Sequence, residues 1–445
     1  MSLSPLVPPA PVVRLTSLDQ FRGYTMLGML LVNLIGGYKL ACPYILRHHH
    51  DYCSYADTIM PHFLFAAGFA MRLSLGRRLE TGGKMPWIRA IRRVLGLALV
   101  AILWYGFCSL KGVIAGFHEA MTEGGFFYPF LYRLFKRELY QTLLHIAVTS
   151  LWILPVITSS WKVRVWYAIG SGALHVILSY WFNYAWVYSD PTGIDGGPLG
   201  FLTWSIPALC GTLACDAVKA SGTAATGRIA GWGCVVMLIG WSLSIGTTLY
   251  NVTEAQIQTE QADAVAALAE PKPTSPAANS PPAGPVAKPL IQVLDPKKYA
   301  PDPVWPTWER LKNWERTLVE PPFVRPPDAQ HRRWNYWMMS QRGGTLSYPT
   351  FCAGLSLLIY AGFLYVCDGL KWRLGIFRTL GTNSLAAYML HDIAGWIPIG
   401  GKVIDQHFPT NSTLWVGMLI AFGIQLLFVY GVCRLLEALG WYIRV

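Results

Sequence analysis

The sequence predicts an all-α membrane protein, a polytopic bundle of about ten transmembrane helices with a long, partly disordered outer loop. Of its 445 residues, 53% are hydrophobic and only 13% are charged, whereas soluble domains carry about 25% charged residues. The mean hydropathy is +0.35, and apolar runs long enough to cross about 30 Å of hydrocarbon recur along the chain. A helical bundle in lipid explains all three observations.

The apolar runs define ten predicted spans. Nineteen Trp and 22 Tyr residues fit interfacial belts at many of their ends. The ninth run is the weakest, because it is short and is interrupted by Pro398 and a Gly-Gly pair. In order, the spans cover roughly residues 24–41, 57–75, 90–110, 139–158, 164–187, 198–218, 229–250, 345–367, 377–398 and 412–437.

The basic residues follow this topology, so the net charge of +12 does not indicate nucleic-acid binding. With both termini on one side, the short loops of that side carry about 18 of the 36 Lys and Arg residues, against about 7 on the other side. The positive-inside rule therefore predicts cytoplasmic termini and places residues 47–57 on the outer, periplasmic or lumenal side. In a bacterium the membrane would be the inner one.

One long interruption divides the bundle into an N-terminal part, residues 1–250 with about seven spans, and a C-terminal part, residues 345–445 with about three. Residues 251–344 form the outer loop between them. Its first part, through Lys288, is rich in Ala, Pro, Ser and Glu and is predicted to be disordered. The aromatic-rich second part, ending at Trp337, fits an irregular cap over the outer mouth as well as a partly ordered linker.

The most informative polar feature is a cluster of titratable residues before the second span. His48, His49 and His50 are followed by Asp51 and Asp57. Imidazoles and carboxylates are costly to place where a chain leaves the bilayer, so such clusters are usually functional. A metal site is disfavoured, because neighbouring histidines rarely point at one ion and no helical His-x-x-x-His pair or closely spaced cysteines complete a tetrahedral set.

Asp57 lies at the start of the second span. Ser54 and Asp57 have capping-box spacing, with Ser54 expected to accept from an early helix N–H. The helix dipole favours an ionised carboxylate at this position. Pro61 cannot donate to the carbonyl of Asp57, so the helix should loosen there. Asp57 is either only a helix cap or the group that orients a nearby histidine and stabilises its cation.

Other intramembrane polar residues also allow two interpretations. Asn33, near the outer end of the first span, can bond a neighbouring helix or donate to an oxyanion. His62 could face either the cluster or a neighbouring helix. His145 and His391 are interpreted as hydrogen-bonding groups of the bundle interior, which leaves a functional role to be tested.

Most cysteines lie within predicted spans and are interpreted as small core hydrophobes. Cys42 and Cys53 differ, because they flank the histidine cluster on the predicted outer side. An oxidising compartment would permit a disulfide between them. The sequence leaves this open, since it does not give the separation of the two Cα atoms.

On the cytoplasmic side, Asp19 and Arg22 flank the start of the first span and either pair with each other or help to bind an anion. The basic loop from Arg77 to Arg93 is either ordinary positive-inside charge or a site for the phosphates of a cofactor arriving from the cytoplasm.

Short motifs occur in a fixed order between about residue 17 and residue 395. They are Ser17-Leu-Asp-Gln-Phe-Arg-Gly23, Leu31-Val-Asn33, the histidine cluster, Ala56-Asp57, Pro61-His-Phe-Leu-Phe65, Gly193-Ile-Asp-Gly-Gly-Pro-Leu-Gly200, Ile206-Pro-Ala-Leu, Gly381-Thr-Asn-Ser-Leu-Ala-Ala-Tyr388 and Leu390-His-Asp. In this order they resemble the heparan-alpha-glucosaminide N-acetyltransferase family, with its S-x-D-x-F-R-G opening, its D-P-E-G segment and its G-x-N-S-x-x-x-Y motif.

The resemblance implies a multi-pass membrane acyltransferase that takes an acetyl group from cytoplasmic acetyl-CoA, without a metal, and delivers it to an amino sugar on the other side. It implies Asn33 and Asp57 as active-site residues. The family's active histidine falls at Arg47, and a deletion of one or two residues brings His48 or His49 into register. Either imidazole would act as a base or be transiently acylated, with Asp57 orienting it and Asn33 donating to the thioester oxygen.

Acetyl-CoA is thus the expected co-substrate, and the expected partners are the lipid bilayer and a small-molecule or glycan acceptor, with no nucleic acid; a homodimer stays open. Two other functions stay open as well. One is a proton-coupled transporter or channel that uses intramembrane His and Asp residues, although no inverted repeat is evident. The other is O-acylation of a surface polysaccharide. The residues expected to bind the cofactor are Arg22, Arg77, Arg78, Arg92 and Arg93.

Overall fold

The structure is a computed structural model, and it is helical throughout the part of the chain that it describes. No β-strand is formed within these ranges, in agreement with the predicted all-α class. The described residues are 15–38, 41–49, 52–80, 87–108, 132, 134–189, 191–244, 321–324, 336–396 and 411–442.

The described residues form twelve α-helices, and short π-helical segments extend two of them at Ser179–Asn183 and Leu364–Gly369. In chain order the helices are α1 (Thr16–Ile35), α2 (Tyr55–Glu80), α3 (Trp87–Cys108), α4 (Thr142–Ile153), α5 (Trp161–Leu178), α6 (Tyr184–Tyr188), α7 (Phe201–Ser221), α8 (Thr226–Ser244), α9 (Ser347–Phe363), α10 (Gly375–Thr382), α11 (Ser384–Trp396) and α12 (Asn411–Ala438).

Four helical stretches in these ranges are long and apolar enough to cross a membrane. They are Tyr55–Gly76, Gly197–Ser244, Ser347–Gly369 and Leu414–Ala438. The second is 48 residues long, and Gly222, with a φ of +54°, divides it into α7 and α8. The stretches are consistent with a membrane protein, but the predicted count of about ten spans is not confirmed.

The other predicted spans differ in length and polarity. α4 has 12 residues, or about 18 Å of helix, and cannot by itself cross about 30 Å of hydrocarbon. α1 carries Asp19, Gln20 and Arg22 within its first two turns. The predicted span 377–398 is divided at Asn383 into α10, with 8 residues, and α11, with 13.

Much of the exterior of the bundle is apolar. α3 exposes Leu95, Leu99 and Leu103, which are spaced by four residues and share one face. α5 exposes Trp166, and α12 exposes Leu427. Soluble proteins rarely expose contiguous apolar surface of this kind, so these faces are suited to contact with lipid.

The backbones of α2 and α7 approach closely along an extensive interface. A Cβ at Gly68 would overlap the carbonyl of Ala208, and a Cβ at Gly211 would overlap the carbonyl of Phe65. Small residues are typical of contacts between membrane helices, because they allow this approach. The interface fixes the position of α2, whose first turn carries Asp57.

α2 continues without a break through Pro61. Proline has no N–H, so the carbonyl of Asp57, four residues earlier, has no donor within the helix. The hydroxyl of Tyr348, in the first turn of α9, donates to this carbonyl. A residue from the C-terminal part of the chain therefore replaces the hydrogen bond that was predicted to be missing.

Most of the predicted outer loop 251–344 lies outside the described residues, including the stretch predicted to be disordered and most of the predicted cap. In the described parts, Trp337 packs in one cluster with Tyr188 of α6. The N–H of Phe323 donates to the carbonyl of Cys53 at 2.9 Å. These contacts join the end of the loop to α6 and to the segment before α2.

Candidate active site

A cavity of about 920 Å³ lies between the end of α1, the start of α2 and α11. Apolar side chains, among them Met29, Ile59 and Phe63, form part of its wall. An apolar wall with a few converging polar groups is the usual form of a small-molecule site. The polar lining residues are Asn33, Arg47, His48, His49, Gln141, Thr142, Asp195, Gln341, Arg342, His391 and Asp392.

His48 and Asp57 form a hydrogen-bonded pair at the wall of this cavity. Nδ1 of His48 lies 2.9 Å from Oδ1 of Asp57. Because a carboxylate only accepts, Nδ1 carries the hydrogen, and Nε2 of the neutral imidazole keeps its lone pair. The side chain of His48 is 39% exposed, whereas that of Asp57 is fully buried. A base oriented by a buried carboxylate has this geometry.

The same carboxylate caps α2. Oδ2 of Asp57 accepts from the backbone N–H of Ser54 at 3.0 Å and from its hydroxyl at 2.8 Å. The Ser54 hydroxyl therefore donates to the carboxylate, and the prediction that it accepts from a helix N–H was wrong. The two interpretations of Asp57 are compatible, because one oxygen caps the helix while the other binds the imidazole.

Two opposing effects set the pKa of His48. Enclosure by protein lowers it, but the hydrogen bond to Asp57 and the charges of Asp57 and Asp195 raise it by more, and the Gln341 side chain raises it further. The net result is a pKa above the ordinary value of 6.5. The protonated imidazole is thus stabilised where it would form after His48 accepts a proton.

His49 has a different environment. Its Nε2 lies 2.9 Å from the carbonyl of Tyr44 and must donate to it. Its ring packs against Tyr44 and Tyr52, with ring centroids 4.1 and 4.5 Å away. His49 also lines the cavity, but no carboxylate among the described residues bonds it. His50 and Asp51 lie outside the described residues.

Asn33 and His391 meet on another part of the wall. The carbonyl of Tyr388 accepts from Nδ1 of His391, and Nε2 of the same ring lies 3.2 Å from Nδ2 of Asn33. Asn33 retains a second N–H. His391 is buried and hydrogen-bonded, as expected, and it also lines the cavity, with Oδ1 of Asp392 3.3 Å from its Nε2. By contrast, His62 is buried and bonds Ser356 at 2.7 Å, and His145 is also buried.

Arg47 supports the segment that presents His48. Its guanidinium donates to the carbonyl of Cys42, with Nε at 3.0 Å and Nη2 also in contact. Its own carbonyl lies 2.7 Å from Oγ of Ser54, whose single hydrogen is shared between this carbonyl and Oδ2 of Asp57. Arg47 therefore joins the two ends of the segment between Cys42 and Ser54.

Asp195 was not among the predicted site residues. It lies in the turn between α6 and α7, with a φ of +53°, and Gly196 and Gly197 follow it with φ of +80° and +60°. Its Oδ1 accepts from Nε2 of Gln341 at 3.1 Å. An acidic residue in a glycine-rich turn was the available sequence signal, but Gln341 lies 146 residues away and has no local signature.

None of the five arginines expected to bind the cofactor is among the described residues that line the cavity. Arg22 lies eleven residues before Asn33, or about 16 Å along α1, and its Nη2 donates to Oγ of Ser384 at 2.8 Å. The others lie at the end of α2 and the start of α3, where Arg77 is twenty residues, or about 30 Å, from Asp57. Arg92 and Arg93 are exposed, and the side chains of Arg77 and Arg78 lie outside the described residues.

Cys42 and Cys53 are free thiols. The thiol of Cys42 contacts the carbonyl of Pro43, and Sγ of Cys53 lies 3.8 Å from Sγ of Cys352. In the described ranges, no group of three or more His, Cys, Asp and Glu residues could hold a metal ion.

No protein-family model matches the chain, and no curated protein matches it. The family resemblance noted in the sequence therefore enters below as a proposal, beside the geometry of the site.

Proposed function

We propose that the protein is a membrane-embedded acyltransferase that moves an acetyl group from cytoplasmic acetyl-CoA to an amino sugar or another glycan acceptor on the outer or lumenal side. The observation that carries the proposal is the position of His48. Its Nδ1 is bonded to the buried carboxylate of Asp57, and the residue borders a cavity large enough for a sugar and a thioester. The ordered motifs of the acetyltransferase family support the same reaction.

In the proposed reaction, the acceptor amine or hydroxyl attacks the thioester carbonyl while Nε2 of His48 takes its proton. The C–S bond then breaks, and the imidazolium returns the proton to the CoA sulfur. Asp57 stabilises the cation, and the second N–H of Asn33 donates to the oxyanion. In the alternative route Nε2 attacks first and forms an acyl-histidine.

We propose that the spans number about ten and that both termini are cytoplasmic. The α1–α11 contact then offers a route for the acyl group. Arg22 meets Ser384 at one end, and Asn33 meets His391 about 16 Å farther along. Arg22 would bind a phosphate near the cytoplasm, together with the basic residues Arg77, Arg78, Arg92 and Arg93.

The test is acetyl transfer from acetyl-CoA by the purified full-length protein. His48→Ala should lose about 100-fold or more of the activity, as expected for loss of a general base. His49→Ala is the matched comparison and should retain more activity, since no carboxylate among the described residues bonds this ring. Wild-type activity in both single variants and in the double variant would overturn the proposal. Unchanged gel-filtration behaviour would show that the variants fold.

A proton-coupled transporter is the second candidate, because the cavity brings together His48, Asp195 and the His391–Asp392 pair. Proton-coupled uptake in proteoliposomes without CoA binding would favour it over the acyltransferase.

A further inference from the structure

Asp195 lines the cavity and has no role in the reaction described above. The residue is 3% exposed, and its Oδ1 accepts from Gln341. Within the described part of the chain, Oδ2 accepts no hydrogen bond, and the residue borders the cavity. A carboxyl oxygen removed from bulk water is costly unless water or a ligand supplies a donor. Oδ2 of Asp195 therefore needs a hydrogen-bond donor from a molecule in the cavity.

The turn around Asp195 is fixed from several sides. Three successive residues have positive φ, which is strained for Asp195 and persists only where the surroundings hold it. The indole of Trp204 donates to the carbonyl of Asp195 at 2.8 Å, and the N–H of Gly196 donates to the carbonyl of Arg342 at 2.9 Å. Such strain is typical of functional sites. These contacts fix the carboxyl group of Asp195 in one position at the cavity wall.

The carboxyl group of Asp195 titrates near neutral pH. Burial raises its pKa to about 7, although His48 and Gln341 lower it. Both its forms are therefore populated at physiological pH. The other titratable and charged groups on the surrounding elements are Arg47, Asp57, Tyr105, His145, Arg342, Tyr348, Tyr388, His391 and Asp392.

An amine acceptor that enters the site protonated must lose two protons in the reaction, and His48 alone takes only one. At neutral pH an alkylammonium group has no lone pair and must lose one proton before it attacks. It must lose another when the amide forms. A hydroxyl acceptor loses only one proton in total. Transfer to an amine thus needs a second proton acceptor in the cavity.

We propose that Asp195 binds the ammonium group of the acceptor and takes its first proton, and that His48 takes the second. This inference rests on the proposed acyl transfer. An N–H bond breaks as Oδ2 of Asp195 gains the proton, and the free amine then forms the C–N bond while the C–S bond breaks. His48 passes the second proton to the CoA sulfur, and Asp195 releases the first to water.

Asp195→Asn is the suitable variant, because asparagine tolerates positive φ as aspartate does and its amide oxygen still accepts from Gln341. The full-length protein is assayed with acetyl-CoA from pH 6 to 9, with glucosamine as the amine acceptor and glucose as the hydroxyl acceptor. At pH 6.5 the variant should lose about 100-fold in kcat/KM for glucosamine. The loss should shrink as pH rises, because the free amine needs no first deprotonation. Acetylation of glucose should change much less, through the lower pKa of His48 that follows from loss of the Asp195 charge.

The matched control is Asp368→Asn. The side chain of Asp368 accepts from the N–H of Ser17 and does not line the cavity, so this variant should behave as the wild type does. Thermal stabilisation by glucosamine provides a readout without catalysis, and Asp195→Asn should abolish it. Three results would overturn the inference: unchanged glucosamine kinetics, an equal loss with both acceptors at every pH, or a wild type that acetylates only hydroxyls. A wild type that transfers to neither acceptor would instead refute the proposed function, and the stabilisation assay would still test ammonium binding.

Discussion

The two oxygens of Asp57 make different contacts. Oδ2 holds the first turn of α2 through Ser54, and Oδ1 holds the imidazole of His48. These local hydrogen bonds join the two ends of the segment from His48 to Asp57. A substitution at Asp57 affects both helix capping and the protonation of His48, whereas a substitution at Ser54 affects mainly the cap.

The pH dependence of the reaction should therefore identify the partner of His48. The base works only when neutral, so kcat/KM should rise with pH through the pKa of His48, which lies above 6.5 in the wild type. In Asp57→Asn this rise should move to lower pH, because only Asp195 and Gln341 then oppose the effect of enclosure on the pKa of His48. The plateau should fall by roughly 100-fold to 10,000-fold, as for other oriented histidine bases.

Ser54→Ala serves as the control for this experiment. It removes the hydrogen bond from the hydroxyl to Oδ2 of Asp57 but keeps the one from the backbone N–H. It should therefore cost about 1 kcal/mol of stability while the rise in kcat/KM stays near its wild-type pH. An unchanged pH profile in Asp57→Asn would show that the carboxylate does not control the imidazole.

At the scale of single helices, the features that depend only on nearby residues were the easiest to predict from the sequence. The start of α2 follows from Ser54, Asp57 and Pro61, which act within one or two turns. The contact that completes α2 was not predictable, because Tyr348 lies 291 residues after Asp57. The turn at Asp195 escaped prediction for a similar reason. Its positive φ values are held by contacts with Trp204 and with residues at the end of the outer loop, such as Arg342.

The close contact of α2 with α7 leads to a stability prediction. Gly68→Ala should destabilise the protein by about 1–3 kcal/mol, because the added methyl group overlaps the backbone of Ala208. Gly170→Ala in α5 is the matched control. A Cβ there has no neighbour within 4 Å, so the change should be neutral or stabilise by up to about 1 kcal/mol.

Thermal unfolding of the two variants in the same detergent measures the difference. Equal melting temperatures would show that the glycine is not needed for the contact between the helices.

At the scale of the whole molecule, the cavity combines residues from both parts of the bundle. Asn33, His48 and Asp195 precede the outer loop, Gln341 lies near its end, and His391 follows it. The sequence identified the first two through local chemistry and the family motifs. It did not show that Asp195 pairs with Gln341 or that Asn33 pairs with His391, because these pairs depend on how the helices pack. For the same reason it did not show that the basic residues at Arg77 lie about 30 Å along α2 from Asp57.

Cofactor binding is a property of the whole folded bundle and can be tested as such. Acetyl-CoA should raise the melting temperature, since a ligand present at 100 times its Kd stabilises the folded state by about 2.7 kcal/mol. Acetate at the same concentration should have no effect, and Arg22→Ala should weaken the stabilisation. A melting temperature that does not respond to acetyl-CoA would contradict the acyltransferase and direct attention to proton-coupled transport.

The hydrogen bond from Tyr348 to the carbonyl of Asp57 has a consequence for biosynthesis. A ribosome that has completed residues 1–250 has already made Asn33, His48 and Asp57, but it has not made the donor that completes α2. The opposite wall of the cavity, which His391 lines, is also missing at that stage. The cavity therefore forms only when the chain is nearly finished, although the local pair of His48 and Asp57 is already made.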